Sequence, residues 1–193
     1  MKVIFLDIDG VLNSDEYFDK IEGLNIDGIE STVDVNKIKL LKEAIEATGA
    51  KVVLSSSWRY TRNAQHLKQL LLCYGIFTDS TPFMENIRGK EIKKWLEEHK
   101  DTEDYVILDD EIFDSYDEEL MRKVIKVSNA NGMSFGEGLQ KKDVEQIIER
   151  LGRKKQRNED ELEIWNVSKD YIGLFSLSIK KLMTHSYNWE LCI

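Results

Sequence analysis

Apolar residues fall along this chain in two patterns, short unbroken runs and longer stretches with helical spacing, and the two alternate. Residues 3–6, 51–54 and 105–108 are runs of four to which Val, Ile, Leu and aromatic residues contribute most, and each reads as a buried strand. Residues 121–127 suggest a fourth strand. Between the runs, Val35, Ile38, Leu41, Ala44 and Ile45 share one face of a helix that Asp34 can cap and Gly49 can end. Leu67, Leu70, Leu71 and Tyr74 mark a second helix, starting near Thr61 or Asn63 and stopping before Gly75. The only proline, Pro82, sits in a turn segment. A third helix opens at Arg88, Gly89 and Lys90 and carries Ile92, Trp95 and Leu96; a last one shows Val144, Ile147, Ile148 and Leu151 before Gly152. Strands alternating with helices predict an α/β fold, a Rossmann-like three-layer α/β/α sandwich around a mainly parallel sheet. Right-handed crossovers would bring every strand's carboxyl end to one edge.

Two stretches do not fit the alternation. Residues 14–33 are polar with scattered Tyr17, Phe18, Ile21, Leu24 and Ile26, longer than an ordinary βα connection. They are expected to form a small flap with a helical turn. Residues 153–193 begin with the basic run Arg153 to Arg157, turn acidic at Glu159, and then carry Trp165, Tyr171, Phe175 and Trp189. Too short for a core of their own, they are expected to dock on the 1–152 domain or on a partner.

Length and composition narrow the class. With 193 residues, 41% hydrophobic and 33% charged, the chain can bury a substantial core. A net charge of -9 argues against a protein that coats nucleic acid, although a local basic patch could still hold a strand end. The two cysteines, Cys73 and Cys192, make neither a disulfide framework nor a zinc spacing, which favours a reducing, cytoplasmic setting. Acidic residues interrupt the first apolar run at once, unlike a signal peptide, and no run is long enough to span a membrane.

Chemistry concentrates where the strands end. Asp7 and Asp9, one residue apart, can point the same way, and Gly10 then lets the chain turn. The second strand runs into Ser55, Ser56 and Ser57, followed by Trp58 and Arg59, and the third into Asp109 and Asp110. An ordinary polar turn would account for any one of these. Carboxylates gathered on one sheet edge are costly unless a cation or a proton compensates them. His66, His99 and His185 lack metal-ligand spacing, and Asp114 reads as a cap or a solvated acid.

Phe5 to Val11, Val52 to Ser55 and Val106 to Asp110, in that order, resemble three motifs of the haloacid dehalogenase-like (HAD) superfamily of phosphotransferases, over roughly residues 1–152. The wording around Gly10 to Asn13, Ser55 to Arg59 and Ile107 to Asp110 is similar to the small, uncapped branch represented by the HAD domain of Swiss-army-knife RNA repair proteins. This resemblance implies a Mg2+-dependent phosphoric monoester hydrolase working through an aspartyl phosphate, with nucleotide or polynucleotide phosphate ends as candidate substrates. Asp7 would be the nucleophile and Asp9 the general acid and base. Asp7, the Asp9 carbonyl and Asp109 would hold the metal, with Asp110 as an outer or substitute ligand. Ser55 would bind a phosphoryl oxygen, helped by Ser56 or by nearby backbone amides, with Gly10 beside them, although the tripled serine leaves the register open. Lys90 or Arg88 would supply the cation, with Lys90 preferred on the superfamily's habit. Arg59 would clamp a phosphate or stand as a surface arginine. No stretch is long enough for a large cap domain. The alternative is a HAD-fold module that binds or interacts without turnover; a nucleotide switch is disfavoured because no phosphate-binding glycine loop follows a strand.

Overall fold

In the computed structural model, which describes residues 1–24, 28, 32–61, 64–127 and 135–152, five strands form one sheet. They are β1 (Lys2–Leu6), β2 (Lys51–Leu54), β3 (Thr78–Ser80), β4 (Asp104–Asp109) and β5 (Val124–Lys126), in the order β3-β2-β1-β4-β5. Every pairing is parallel. The helices are α1 (Asp15–Ile21), α2 (Val35–Thr48), α3 (Ala64–Cys73), α4 (Arg88–Glu98), α5 (Glu118–Lys123) and α6 (Lys141–Gly152), with a 3-10 turn at Ser57–Tyr60.

Alternation along β1 divides the core in two. Ile4 and Leu6 pack with Leu41 of α2, Leu67 and Leu71 of α3, and Ile147 and Leu151 of α6. Val3 and Phe5 face the other way, onto Ile92 and Trp95 of α4 and Leu120 of α5. Phe5 meets the Trp95 and Tyr105 rings edge-on, at centroid distances of 5.4 and 5.7 Å. The result is the three-layer α/β/α arrangement, with a sheet that is parallel throughout. Asp34 caps α2 by accepting from the Asn36 N–H at 2.8 Å, and Gly49 ends it.

The structure corrects two sequence expectations. Thr78, Asp79 and Ser80 form a strand where only a turn segment was expected; all three are polar and none is fully buried, so this edge strand leaves no apolar signature. Residues 121–123 are not strand: they finish α5, whose Asp117 cap accepts from the Leu120 N–H at 3.1 Å, and only Val124–Lys126 pair with β4. Within 14–33, Ser14 caps the seven-residue α1. The expectation for 153–193 lies outside the described residues. Among those described, no helix is long and apolar enough to cross a membrane.

Ladder hydrogen bonds run past the ends of the central strands. The Asp7 N–H donates to Leu108 O and the Ser55 N–H to Leu6 O, both at 2.9 Å. Asp7, Ser55 and Asp109 are thereby fixed side by side. The connection out of β1 leads to β2 on one side, while β4 lies on the other, and a sheet of this kind opens its ligand crevice where the order reverses.

Phe5→Ala should remove about 3–5 kcal/mol of unfolding free energy in urea titrations, because the ring fills the junction of α4, β1 and β4. Phe5→Leu should cost visibly less.

Candidate active site

Three carboxylates meet at this crevice. Asp7, Asp109 and Asp110 each offer an oxygen within 4.8 Å of the others. Asp7 and Asp109 are buried and Asp110 is half-buried. Gly10 is what lets Asp110 come so near: its φ is +64°, and a Cβ there would lie 2.5 Å from Asp110 Oδ2.

Arg88 answers the charge. Its Nη1 donates to Asp7 Oδ1 at 2.9 Å and to Asp109 Oδ2 at 2.8 Å. Phe113 lies under the guanidinium, 4.9 Å from its carbon to the ring centroid. Asp109 also accepts the Tyr116 hydroxyl at 3.3 Å and the Glu111 N–H at 3.1 Å. Burial raises the Asp7 carboxyl above its usual range, opposed by Arg88. Burial, reinforced by the charge of Asp7, pushes Asp109 up to about 8, and the same two causes push Asp110 up to about 6. One arginine is thus too little positive charge for three carboxylates. Three hard oxygen donors in a partly shielded cleft suit a divalent cation such as Mg2+, so the donor set fits the metal that the sequence suggests.

Asp9 is held by different partners. Trp58 Nε1 donates to its Oδ2 at 2.8 Å and Asn13 Nδ2 to its Oδ1 at 3.0 Å. Asn13 also accepts the Gly10 N–H at 2.7 Å, so a single amide ties the turn to the carboxylate. Each carboxylate oxygen keeps a further lone pair for other work.

The serines occupy three different environments. Ser55 is fully buried and its hydroxyl has no hydrogen-bond partner among the described residues. Ser56 hydrogen-bonds toward Asp7 and accepts the Trp58 N–H at 3.3 Å. Ser57 is exposed and lines the cavity that opens over the acidic cluster, about 580 Å³ in volume. Asp7, Asp9, Arg59, Arg88, Asp109 and Asp110 line it as well.

Two basic residues stand otherwise than the sequence suggested. The cation against the aspartates is Arg88, whereas Lys90 is exposed on α4 and does not line the cavity. Two residues further along a helix point well away from the first, so only one can face the cluster. Arg59 is neither a surface side chain nor an open clamp. Its guanidinium donates to the Ser55 and Ser56 carbonyls and pairs with Glu91, both side chains being almost wholly buried.

Asn13, Trp58 as a donor, Tyr116 and Glu91 were not singled out from the sequence. For Glu91 a signal existed: it shares the buried face of α4 with Ile92 and Trp95, and a charge on an apolar face asks for a partner. For Tyr116 there was none, since its contact with Asp109 at the end of β4 depends on how the loop after β4 folds back.

The raised carboxyls predict an unusual pH dependence without metal. Between the ordinary carboxyl range and about pH 8 the native state holds protons that the unfolded chain has shed, so stability should fall as pH rises through this window. Melting temperatures of the metal-free protein should therefore drop from about pH 5 to about pH 8. Added Mg2+ should raise the melting temperature strongly at the upper end and little at the lower. A melting temperature indifferent to Mg2+ at both ends would contradict the cation fit.

A family model described as the HAD domain in Swiss Army Knife RNA repair proteins matches residues 3–137. No curated protein and no solved structure matches the chain. The matched span runs from β1 through β5 and takes in both aspartate pairs, the serines, Trp58 and Arg88. With well over half of its 193 residues in that match, and with the parallel sheet and acidic crevice just described, the chain belongs to the family of HAD domains in Swiss Army Knife RNA repair proteins.

Proposed function

We propose that the chain is a Mg2+-dependent phosphoric monoester hydrolase that works through an aspartyl phosphate on Asp7. The observation that carries this reading is the convergence of Asp7, Asp109 and Asp110, the first two bridged by Arg88, with Asp9 held by separate partners. Asp7, Asp109 and Asp110 would hold the metal, as would the Asp9 carbonyl on the family resemblance. When bound, the metal would neutralise the charge of the phosphate against the carboxylates.

In the first half-reaction an Asp7 carboxylate oxygen attacks phosphorus, and the bond from phosphorus to the ester oxygen breaks. Asp9, protonated, gives its proton to the departing alkoxide. In the second, Asp9 takes a proton from water, the water oxygen attacks phosphorus, and the Asp7–phosphorus bond breaks to release phosphate. Arg88 balances charge on Asp7 and on the phosphoryl group throughout. Ser57, which lines the cavity, would donate to phosphoryl oxygens, and so would Ser55 on the family resemblance, its hydroxyl having no partner among the described residues. Trp58 and Asn13 keep Asp9 oriented through both steps. The family match favours nucleotide or polynucleotide phosphate ends as substrates, and free, exposed Cys73 suits a reducing cytoplasm. Residues 153–193 are proposed to be an extension that docks on the domain or on a partner.

A generic aryl phosphate, assayed with Mg2+ and with a chelator, tests the chemistry. Turnover should need the metal and should vanish in Asp7→Asn, and full activity in that variant would remove the nucleophile. Asp9→Asn should lose about 10²–10⁴-fold in kcat. Trp58→Phe, which keeps the packing but not the N–H, should lose on the order of tenfold to a hundredfold through misplacement of Asp9.

A further inference from the structure

Beside the acidic floor of the cavity stands a pair of aromatic rings that the reaction itself does not use. Tyr60, at the end of the 3-10 turn, is 46% exposed, and Phe83, in the loop before α4, is 60% exposed. Their ring centroids are 5.3 Å apart at an interplanar angle of 87°. Tyr60 lines the cavity together with Asn86 of the same loop as Phe83. Single exposed aromatics are ordinary; two brought into contact from separate elements, one of them lining a cavity, are not.

The pair is braced from below. Glu91, buried on α4, takes the Tyr60 hydroxyl at 3.3 Å, the Met84 N–H at 3.2 Å and the guanidinium of Arg59. That guanidinium also lies over the Tyr60 ring, 4.3 Å from its centroid. The loop itself is strained: Glu85 and Asn86, neither of them glycine, both have φ of +58°. Consecutive left-handed residues persist only where their surroundings enforce them, and such strain gathers at functional sites. Here it sets Asn86 in the cavity lining and leaves Phe83 exposed against Tyr60 rather than in the core.

We infer that Tyr60 and Phe83 form an aromatic subsite for the base of a nucleoside phosphate whose phosphate lies on Asp7, the base stacking on one ring and meeting the other, perpendicular to it, edge-on. This rests on the phosphatase reading of the acidic cluster and adds to it the side chains that hold the base of the leaving group. The argument for a base is the layout. Asp7 is buried while Tyr60, which lines the same cavity, is half-exposed with Phe83 against it, so the flat group must be set apart from phosphorus by a spacer, as a sugar does. A ring joined directly to the phosphate oxygen would lie deep among the carboxylates instead. A cavity of about 580 Å³ is far larger than a phosphate group needs and within the range of small-molecule sites. Asn86 offers both donor and acceptor to a base edge. Stacking is worth about 1–3 kcal/mol per base, which corresponds to roughly fivefold or more in kcat/KM.

The test compares the full chain, with Mg2+, on adenosine monophosphate and on glycerol phosphate, an aliphatic ester of similar charge. The wild type should prefer the nucleotide. Phe83→Leu, which keeps an apolar side chain but no ring face, and Tyr60→Ala should each cut the ratio of the two kcat/KM values about tenfold, chiefly through KM for the nucleotide. Tyr60→Phe should restore most of the ratio. A ratio unchanged in Phe83→Leu and Tyr60→Ala would overturn the subsite, as would a wild type with no preference. A terminally phosphorylated oligonucleotide run alongside separates the free nucleotide from the strand end, and either supports the subsite if the same fall accompanies it. A wild type that hydrolyses no phosphate ester would defeat the phosphatase reading alone. Binding of adenosine monophosphate with Mg2+ to the same variants then decides the subsite: about a tenfold rise in Kd supports it and an unchanged Kd ends it.

Discussion

The contact on which the rest of this structure depends is the one Arg88 makes with two strands at once. Asp7 follows β1 and Asp109 ends β4, and Nη1 of a single guanidinium reaches both. Buried carboxylates side by side repel each other and forfeit hydration, so a sheet that presents them this way needs a compensating charge at their meeting point. Arg88 supplies part of that requirement from the first turn of α4. The remainder shows in the raised protonation of Asp109 and Asp110, and it is the physical reason the crevice suits a divalent cation.

Placing Arg88 there constrains α4 closely. Gly89 is buried against Ser115, where a Cβ would come within 2.1 Å of the Ser115 carbonyl oxygen, and its N–H donates to Ser115 Oγ at 3.0 Å. Any larger residue would lift the helix start away from the loop after β4. One turn on, Glu91 faces the 3-10 turn and receives Arg59 and Tyr60. A single helix turn therefore carries opposite charges to the floor and to the rim of one cavity. Both ion pairs are shielded from water, so removing either partner would strand a buried charge. Their joint effect is to couple the shape of the rim to the position of the acidic floor.

The serine turn between them is held from both sides. Arg59 gathers the Ser55 and Ser56 carbonyls, while Trp58 reaches across to Asp9. Five successive residues after β2 thus serve the floor, the orientation of Asp9 and the rim together. This density of use explains why the turn is a tight 3-10 segment rather than a free loop.

Much of this was legible in the residues alone. Unbroken apolar runs ending in aspartate or serine gave three strands and the edge where they would converge, because burial on both faces demands such runs and leaves polar residues only at their ends. The caps of α2 were readable because Asp34 and Gly49 act on their own backbone. Two elements were not. β3 is a polar edge strand made by pairing with β2, and α5 owes its place to one buried leucine and an aspartate cap. The site divides in the same way. The acidic residues announce themselves by type and position, but the choice of Arg88 over Lys90 turns on which side of α4 faces the sheet. The roles of Trp58 and Glu91 depend on partners from distant segments, and those of Asn13 and Tyr116 on how their own loops fold back. Local chemistry is written in local sequence, whereas the pairing of distant charges is decided only when packing fixes which faces meet.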